Sequence, residues 1–287
     1  MSKHFLTLIT RCRDEPFLEE FVNHYFHEGV DHIYLIDDNL NFEMPDSILN
    51  DQRVSVIKAR SWTDENNNFQ YAQMLDVNLL FEKIRDESEW FLSVDADEFI
   101  TTKKNPDRTI RDELLTTFKD VDCVKIPWVM MSSGGRDKDP SSLLHETVFR
   151  WNHDRRHPVA VWGKGSCKYE MIEVKCVFKP ENVVFVSTHY PIEFEGAKFA
   201  VVDSVQGRPA PLNSVHLDLR NKDIEVGYLL CYHYRIMSKE SAIRKINASQ
   251  KLKGHGGYSS YSSEMIMAYD YAEILDETLK LKSQKRS

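Results

Sequence analysis

Four short apolar runs fall within the first 95 residues, separated by helical or polar segments, and this alternation limits the fold more than any other feature. The runs are "HFLTLIT" (4–10), "HIYLID" (32–37), "VSVIKA" (54–59) and "WFLSV" (90–94), each short and nearly continuous in apolar character, as buried strands are. Between the first two, "DEPFLEEFVNHYFHEGV" sets Phe17, Leu18, Phe21, Val22, Tyr25 and Phe26 at helical spacing. Pro16 sits in the first turn and Gly29 follows the end, the usual start and stop chemistry of a helix. A longer helix is expected over about 69 to 86, with Phe69, Ala72, Leu75, Leu79 and Leu80 on or near one face. Strand–helix–strand alternation of this kind predicts an α/β fold, a mostly parallel sheet covered by helices. In such sheets, ligands bind beyond the carboxyl ends of the strands.

The second half is less regular. "CVKIPWVMM" (123–131), "NVVFVSTHYP" (182–191) and "GYLLCYHYRI" (227–236) read as strands, and "SLLHETVFRW" (142–151) as a helix. "SSGGRDKDPSS" (132–142) is a Gly/Ser/Pro loop of the kind that closes over a site. Ser238 opens a helix in "SKESAIRKINASQK", and the periodicity of Met265, Ala268, Tyr269 and Leu275 predicts one amphipathic helix near the C-terminus. The chain therefore divides into a main domain over 1–245 and a helical extension over 246–287 packed on it.

A net charge of −8 argues against a nucleic-acid partner. The five cysteines are odd in number and widely spaced, without a Cys-x-x-Cys pair. That favours reduced thiols and a cytoplasmic protein. No apolar stretch approaches the ~20 residues of a membrane span.

The fourth strand ends in Asp95, Asp97 and Glu98 before "FI" resumes. Asp-x-Asp occurs twice more, at Asp120/Asp122 and Asp137/Asp139, where a solvated turn accounts for it. Clustered carboxylates in a half-buried place repel one another and raise each other's pKa, a conflict that a divalent cation removes. Hard oxygen ligands favour Mg²⁺ or Mn²⁺, which leave positions for phosphate oxygens. The chemistry implied is work on a phosphorylated or diphosphate substrate.

"WFLSVDADEFI" resembles the metal-binding signature of glycosyltransferases with the GT-A fold, and most of all the family 2-like group related to glycosyltransferase family 92. In the same order, "RCRDEPFLEEFVNHYFHEGVDHIYLIDDN", "QMLDVNLLFEKIRDESEW", "GKGSCKYE" and "CYHYRIMSKESAIRK" resemble further elements of that group. The resemblance implies a nucleotide-sugar donor, most often a uridine diphosphate sugar, a glycan or other hydroxyl acceptor, and inversion. It places Mn²⁺ (or Mg²⁺) on Asp97, with Asp95 on the ribose or on the metal through water. A C-terminal histidine then completes the shell. His233 is favoured for this over His189, although a histidine in an apolar strand is ordinarily core. Thr10, Arg11, Arg13, Asp37 and Asp38 end the first two strands, where the donor lies, and Lys164 and Lys168 steady its diphosphate. Glu98 is either a ligand or a cap on the following turn. The acceptor's proton needs a carboxylate near the Gly-rich loop. Asp137, Asp139 and Glu146 are the candidates, and Glu146 is favoured for its more ordered setting. Trp128, Trp151 and Trp162 either stack on sugar or fill the core. The alternatives are a non-catalytic nucleotide-sugar or carbohydrate module and a haloacid dehalogenase-type phosphatase. The phosphatase motif needs Thr or Val where Phe99 stands.

Overall fold

The structure is a computed structural model that describes residues 3–60, 69–157, 171–251 and 262–285. Its first part contains β1 (His4–Cys12), α1 (Leu18–His27), β2 (His32–Asp37), α2 (Asp46–Leu49), β3 (Val54–Lys58), α3 (Phe69–Ile84) and β4 (Ser88–Asp95). The strands lie parallel in the order β3-β2-β1-β4. This is the Rossmann-like half that the alternation predicts. Because β1 runs between two neighbours and under helices, five consecutive central residues are buried, which is why it reads as an apolar run.

After β4 come β5 (Glu98–Thr102), α4 (Ile110–Leu115), β6 (Cys123–Ser132), α5 (Leu143–Glu146), β7 (Phe149–Arg150) and β8 (Ile172–Phe178). Then follow β9 (Val183–Val186), β10 (Pro191–Glu193), β11 (Val201–Asp203), β12 (His216–Leu217), α6 (Asn221–Ile224) and β13 (Leu229–His233). The chain closes with α7 (Lys239–Lys251), α8 (Ser263–Met267), β14 (Ile274–Leu275) and α9 (Thr278–Gln284). β8 extends the parallel half antiparallel to β4, and β6 lies beyond it. β13 runs parallel to β6 and antiparallel to β5. All residues of β5, β6 and β13 are buried.

Helices cover the sheet and fix its edges. On α3, Phe81 meets Phe91 and Phe178 edge-on at 5.3 and 5.9 Å, and its truncation to Ala would cost about 3–5 kcal/mol. Asn78 of the same helix holds β9, accepting from Val186 N at 2.7 Å and donating to Val186 O at 2.9 Å. On α1, acidic Glu19 and Glu20 occupy the first turn and His24 and His27 the last, in line with the helix dipole. Gly29 ends this helix at φ +90°, where a Cβ would lie 2.6 Å from the Arg111 side chain. Only glycine fits there.

The irregular half departs from the periodicity. The helix expected over 142–151 is the four-residue α5 followed by β7, and the strand expected over 182–191 is the β9–β10 hairpin. The single C-terminal helix is α8, β14 and α9, because tertiary partners outweigh helical spacing there. Asp270 accepts from Ser133 N and Gly135 N at 2.8 and 3.0 Å. β14 pairs antiparallel with β7, and Asp276 meets Arg150 at 3.1 Å with both side chains at most 2% exposed. Lys282 of α9 reaches Glu28 at 2.9 Å. The C-terminal segment is thus tied into the main sheet, and α7 runs across the 245/246 boundary. Among the described residues no helix is long and apolar enough to cross a membrane. Cys12, Cys123, Cys176 and Cys231 are buried free thiols.

Candidate active site

The carboxylate cluster lies where β4 leaves the sheet. Tyr25 of α1 sets the turn that follows: its hydroxyl donates to Glu98 O at 2.8 Å and accepts from Ile100 N at 3.1 Å. His24 Nε2 contacts Ile100 O at 2.8 Å. β5 therefore starts at a fixed point, with Asp97 in the turn before it. β13 pairs with β5 so that His233 stands opposite Glu98. This register brings His233 Nε2 to 3.6 Å from Asp97 Oδ1, although the two residues are far apart in sequence. Tyr234 N donates to Asp97 O at 2.9 Å and closes the arrangement.

Two lysines neutralise the cluster, and neither was anticipated from the sequence. Lys175 of β8 is 3% exposed and donates to Asp95 Oδ2 at 2.8 Å and to Thr188 O at 3.0 Å. It also lies 3.2 Å from Glu98 Oε2. Burial opposes its charge, but Asp95 and Glu98 outweigh burial and hold its pKa above the ordinary lysine value. Lys245 of α7 donates to Asp97 Oδ2 at 2.6 Å. Burial would raise the pKa of Asp97, yet Lys245 and His233 together hold it well below the usual carboxylate range. Glu98 is fully buried and accepts from Asp95 N at 2.8 Å through Oε2, so one of its oxygens caps the turn. Half-buried Glu15, also missed, faces this cluster. Burial raises its pKa to about 7, with Lys245 opposing and Asp97 reinforcing the shift.

The other expected residues divide. Arg11 bridges Asp38 and Asp76 at 3.2 Å each, and Arg13 pairs with the same Asp38. Asp37 pairs at 3.0 Å with the exposed Lys58. Thr10 is 1% exposed, so its side chain lies inside the sheet rather than at its edge. A small, solvent-open cleft is lined by Ile9, Arg11, Asp95, Lys175, Ser187 and Thr188 among others. It lies at the carboxyl ends of β1 and β4, where the donor was expected. Lys164, Lys168 and Trp162 lie outside the described residues.

The Gly-rich loop rests on the start of α7: Lys239 N and Glu240 N donate to Arg136 O and Asp137 O at 2.9 and 3.0 Å. The Asp137 side chain is exposed. Asp139 pairs with Arg244 at 2.5 Å. Glu146 turns onto its own loop, accepting from Ser141 N at 2.9 Å, Ser141 Oγ at 2.5 Å and Ser142 N at 3.2 Å, with Arg136 at 3.4 Å. The Ser141 hydroxyl is the first cause of its lowered pKa. Trp128 is 6% exposed and lies between the histidines, with ring centroids 4.2 Å from His233 and 5.7 Å from His189. His189 Nδ1 contacts Val174 O at 3.0 Å. Trp151 packs on His157 and Tyr271 in the core.

Asp97 Oδ1 and His233 Nε2 are donor types that Mn²⁺ accepts. They face one another at more than hydrogen-bond distance, and the pair fits a shared cation. No group of three or more His, Cys, Asp or Glu is gathered for a metal among the described residues. The rest of a cation's shell would come from phosphate and water, the usual arrangement in phosphate-handling sites.

An α/β protein with an acidic sheet edge and a cleft beside it is the class that fold and site define. The sequence model of glycosyltransferase family 92 matches residues 14–267. The chain belongs to glycosyltransferase family 92 and is a glycosyltransferase. Among solved structures, it is similar to HddC from Yersinia pseudotuberculosis at 10% identity, covering 69% of this chain and 88% of that one with a TM-score of 0.35. A putative glucose-1-phosphate thymidylyltransferase from Bacillus anthracis matches at 8% identity over 61% of this chain and 72% of its own, with a TM-score of 0.32. No curated protein matches the sequence.

Proposed function

We propose that this glycosyltransferase moves a sugar from a uridine diphosphate donor to a hydroxyl of a glycan or other acceptor, with inversion and with Mn²⁺ or Mg²⁺ at Asp97 and His233. The observation that carries the reading is the approach of His233 to Asp97 at 3.6 Å across the β5–β13 register. The donor's nucleoside takes the cleft at the end of β1, where Arg11 is oriented by Asp38 and Asp76. Asp95, 62% exposed, meets the ribose or a cation-bound water. When bound, the cation offsets the charge that grows on the departing diphosphate. Lys175 keeps the floor beneath the diphosphate from becoming a cluster of unpaired carboxylates.

In the transfer the acceptor oxygen bonds to the anomeric carbon as the bond from that carbon to the phosphate oxygen breaks. The acceptor's proton passes to a carboxylate. We assign this to Asp137 rather than Glu146, whose oxygens are engaged by Ser141, Ser142 and Arg136. The test is a panel of nucleotide sugars incubated with the protein, with Mn²⁺ or with chelator, following release of free nucleotide. Cation-dependent release from uridine diphosphate sugars is expected. Equal release in chelator would contradict the cation, and preference for another nucleotide would contradict the donor.

A further inference from the structure

Asp97 already has a cation of its own. Lys245 reaches it from α7 and also donates to Arg235 O at 3.1 Å. The start of that helix is held to the Gly-rich loop. Ser238 Oγ donates to Asp139 Oδ1 at 2.5 Å and accepts from Ser241 N at 2.9 Å, and Arg244 meets the other Asp139 oxygen at 2.5 Å. Lys245 is 20% exposed in its side chain, against 3% for Lys175. Lys175 is fixed inside the sheet, whereas Lys245 stands at the rim of the site with solvent beside it.

We propose that Lys245 is a resident counter-ion of Asp97 that makes divalent-cation binding and diphosphate binding depend on each other. The inference rests on the cation reading above. Without nucleotide, a cation between Asp97 Oδ1 and His233 would share its carboxylate with an ammonium a few ångströms away, and like-charge repulsion weakens binding. A diphosphate supplies the negative charge that both cations need, and Lys245 then turns part of its charge toward the phosphates. By linkage, the factor by which diphosphate tightens the cation equals the factor by which the cation tightens diphosphate.

The test is Mn²⁺ binding followed by electron paramagnetic resonance of the free ion, with and without UDP. The proteins are wild type, Lys245→Met, Lys245→Gln, Lys245→Arg and the exposed control Lys222→Met, each checked for folding by thermal melting. Lys245→Gln keeps a donor for Asp97 without the charge, and serves if Lys245→Met does not fold. Wild type, Lys245→Arg and Lys222→Met are expected to bind Mn²⁺ weakly alone and at least about tenfold more tightly with UDP. The neutral variants are expected to bind Mn²⁺ alone at least about tenfold more tightly than wild type, with a smaller UDP effect. Neutral variants that bind Mn²⁺ no more tightly than wild type, or that keep the full UDP effect, overturn the inference while the cation reading stands. Absence of Mn²⁺ binding by every protein, with and without UDP, overturns both.

Discussion

Lys175 and Lys245 neutralise different carboxylates of the same cluster, Asp95 and Glu98 for the first and Asp97 for the second, yet they belong to different kinds of structure. Lys175 projects from a strand inside the sheet, is 3% exposed and satisfies Asp95, Glu98 and a backbone carbonyl together. Lys245 projects from a helix anchored to a loop and faces Asp97, whose other oxygen looks toward His233. The floor of the site is therefore part of the fold, and the wall beside it is where the proposed exchange of cations would take place. The contrast also explains how acidic residues can end a buried strand. The sheet supplies a cation closed off from solvent, and the helix supplies one that solvent reaches.

The largest expected effect falls on the floor. Lys175→Met leaves Asp95 and Glu98 without their cation, and a loss of about 3–5 kcal/mol in urea unfolding is expected, as for a broken buried pair. A loss under about 1 kcal/mol would mean that buried Glu98, whose pKa burial already raises, takes up a proton and does without its cation.

On the wall, the large effect is on turnover. Asp97→Asn is expected to lower transfer by about 100-fold or more while the protein still melts cooperatively. Asp95→Asn, which removes the proposed outer contact to cation or ribose and weakens the pair with Lys175, should lower it by about 10- to 100-fold. Near-normal turnover in Asp97→Asn would reduce the motif to a structural turn.

The wall also has a pH signature. Asp97 has a lower pKa folded than unfolded. Below the unfolded carboxylate value of about 3.9, the unfolded chain binds more protons, so stability falls with pH. Its contribution is complete above that value and drains away as pH drops toward the folded pKa. Urea midpoints from neutral pH into the acid range should decline more steeply for wild type than for Asp97→Asn or Lys245→Met. Parallel declines would mean that the Asp97–Lys245 pair carries no net linkage.

The smallest effect is expected at Glu146. Its carboxylate closes its own loop, so Glu146→Gln should change turnover by no more than about threefold, whereas loss of a proton acceptor costs about 10²–10⁴-fold. A loss in that larger range would restore it as the acceptor.

Much of this geometry can be read from residue order, and the exceptions have physical causes. β1, β2 and β4 are legible because they are largely buried and leave nearly continuous apolar runs, β3 because its apolar residues recur at the half-buried sheet edge, and Asp95 and Asp97 stand out by interrupting one such run. His233 was recoverable only through the family-like "CYHYRIMSKESAIRK" segment, since an apolar strand gives no sign of what lies opposite it. That segment also ends in Lys245, but nothing in the helix sequence distinguishes it from a solvated lysine. Lys175 in "VKCVF" is the same kind of interruption as Asp95, but its partners lie on other strands and leave no local pattern. The C-terminal helix failed for a related reason: Asp270 and Asp276 look like solvated helix positions until Ser133, Gly135, Lys103 and Arg150 are placed beside them.

The most direct test of the account is anomalous diffraction at the manganese edge from crystals soaked with Mn²⁺ and UDP. A peak within bonding distance of both Asp97 Oδ1 and His233 Nε2, with phosphate oxygens completing the shell and Lys245 drawn away from Asp97, is the predicted result. A peak elsewhere, or none at full UDP occupancy with Lys245 still on Asp97, would contradict it.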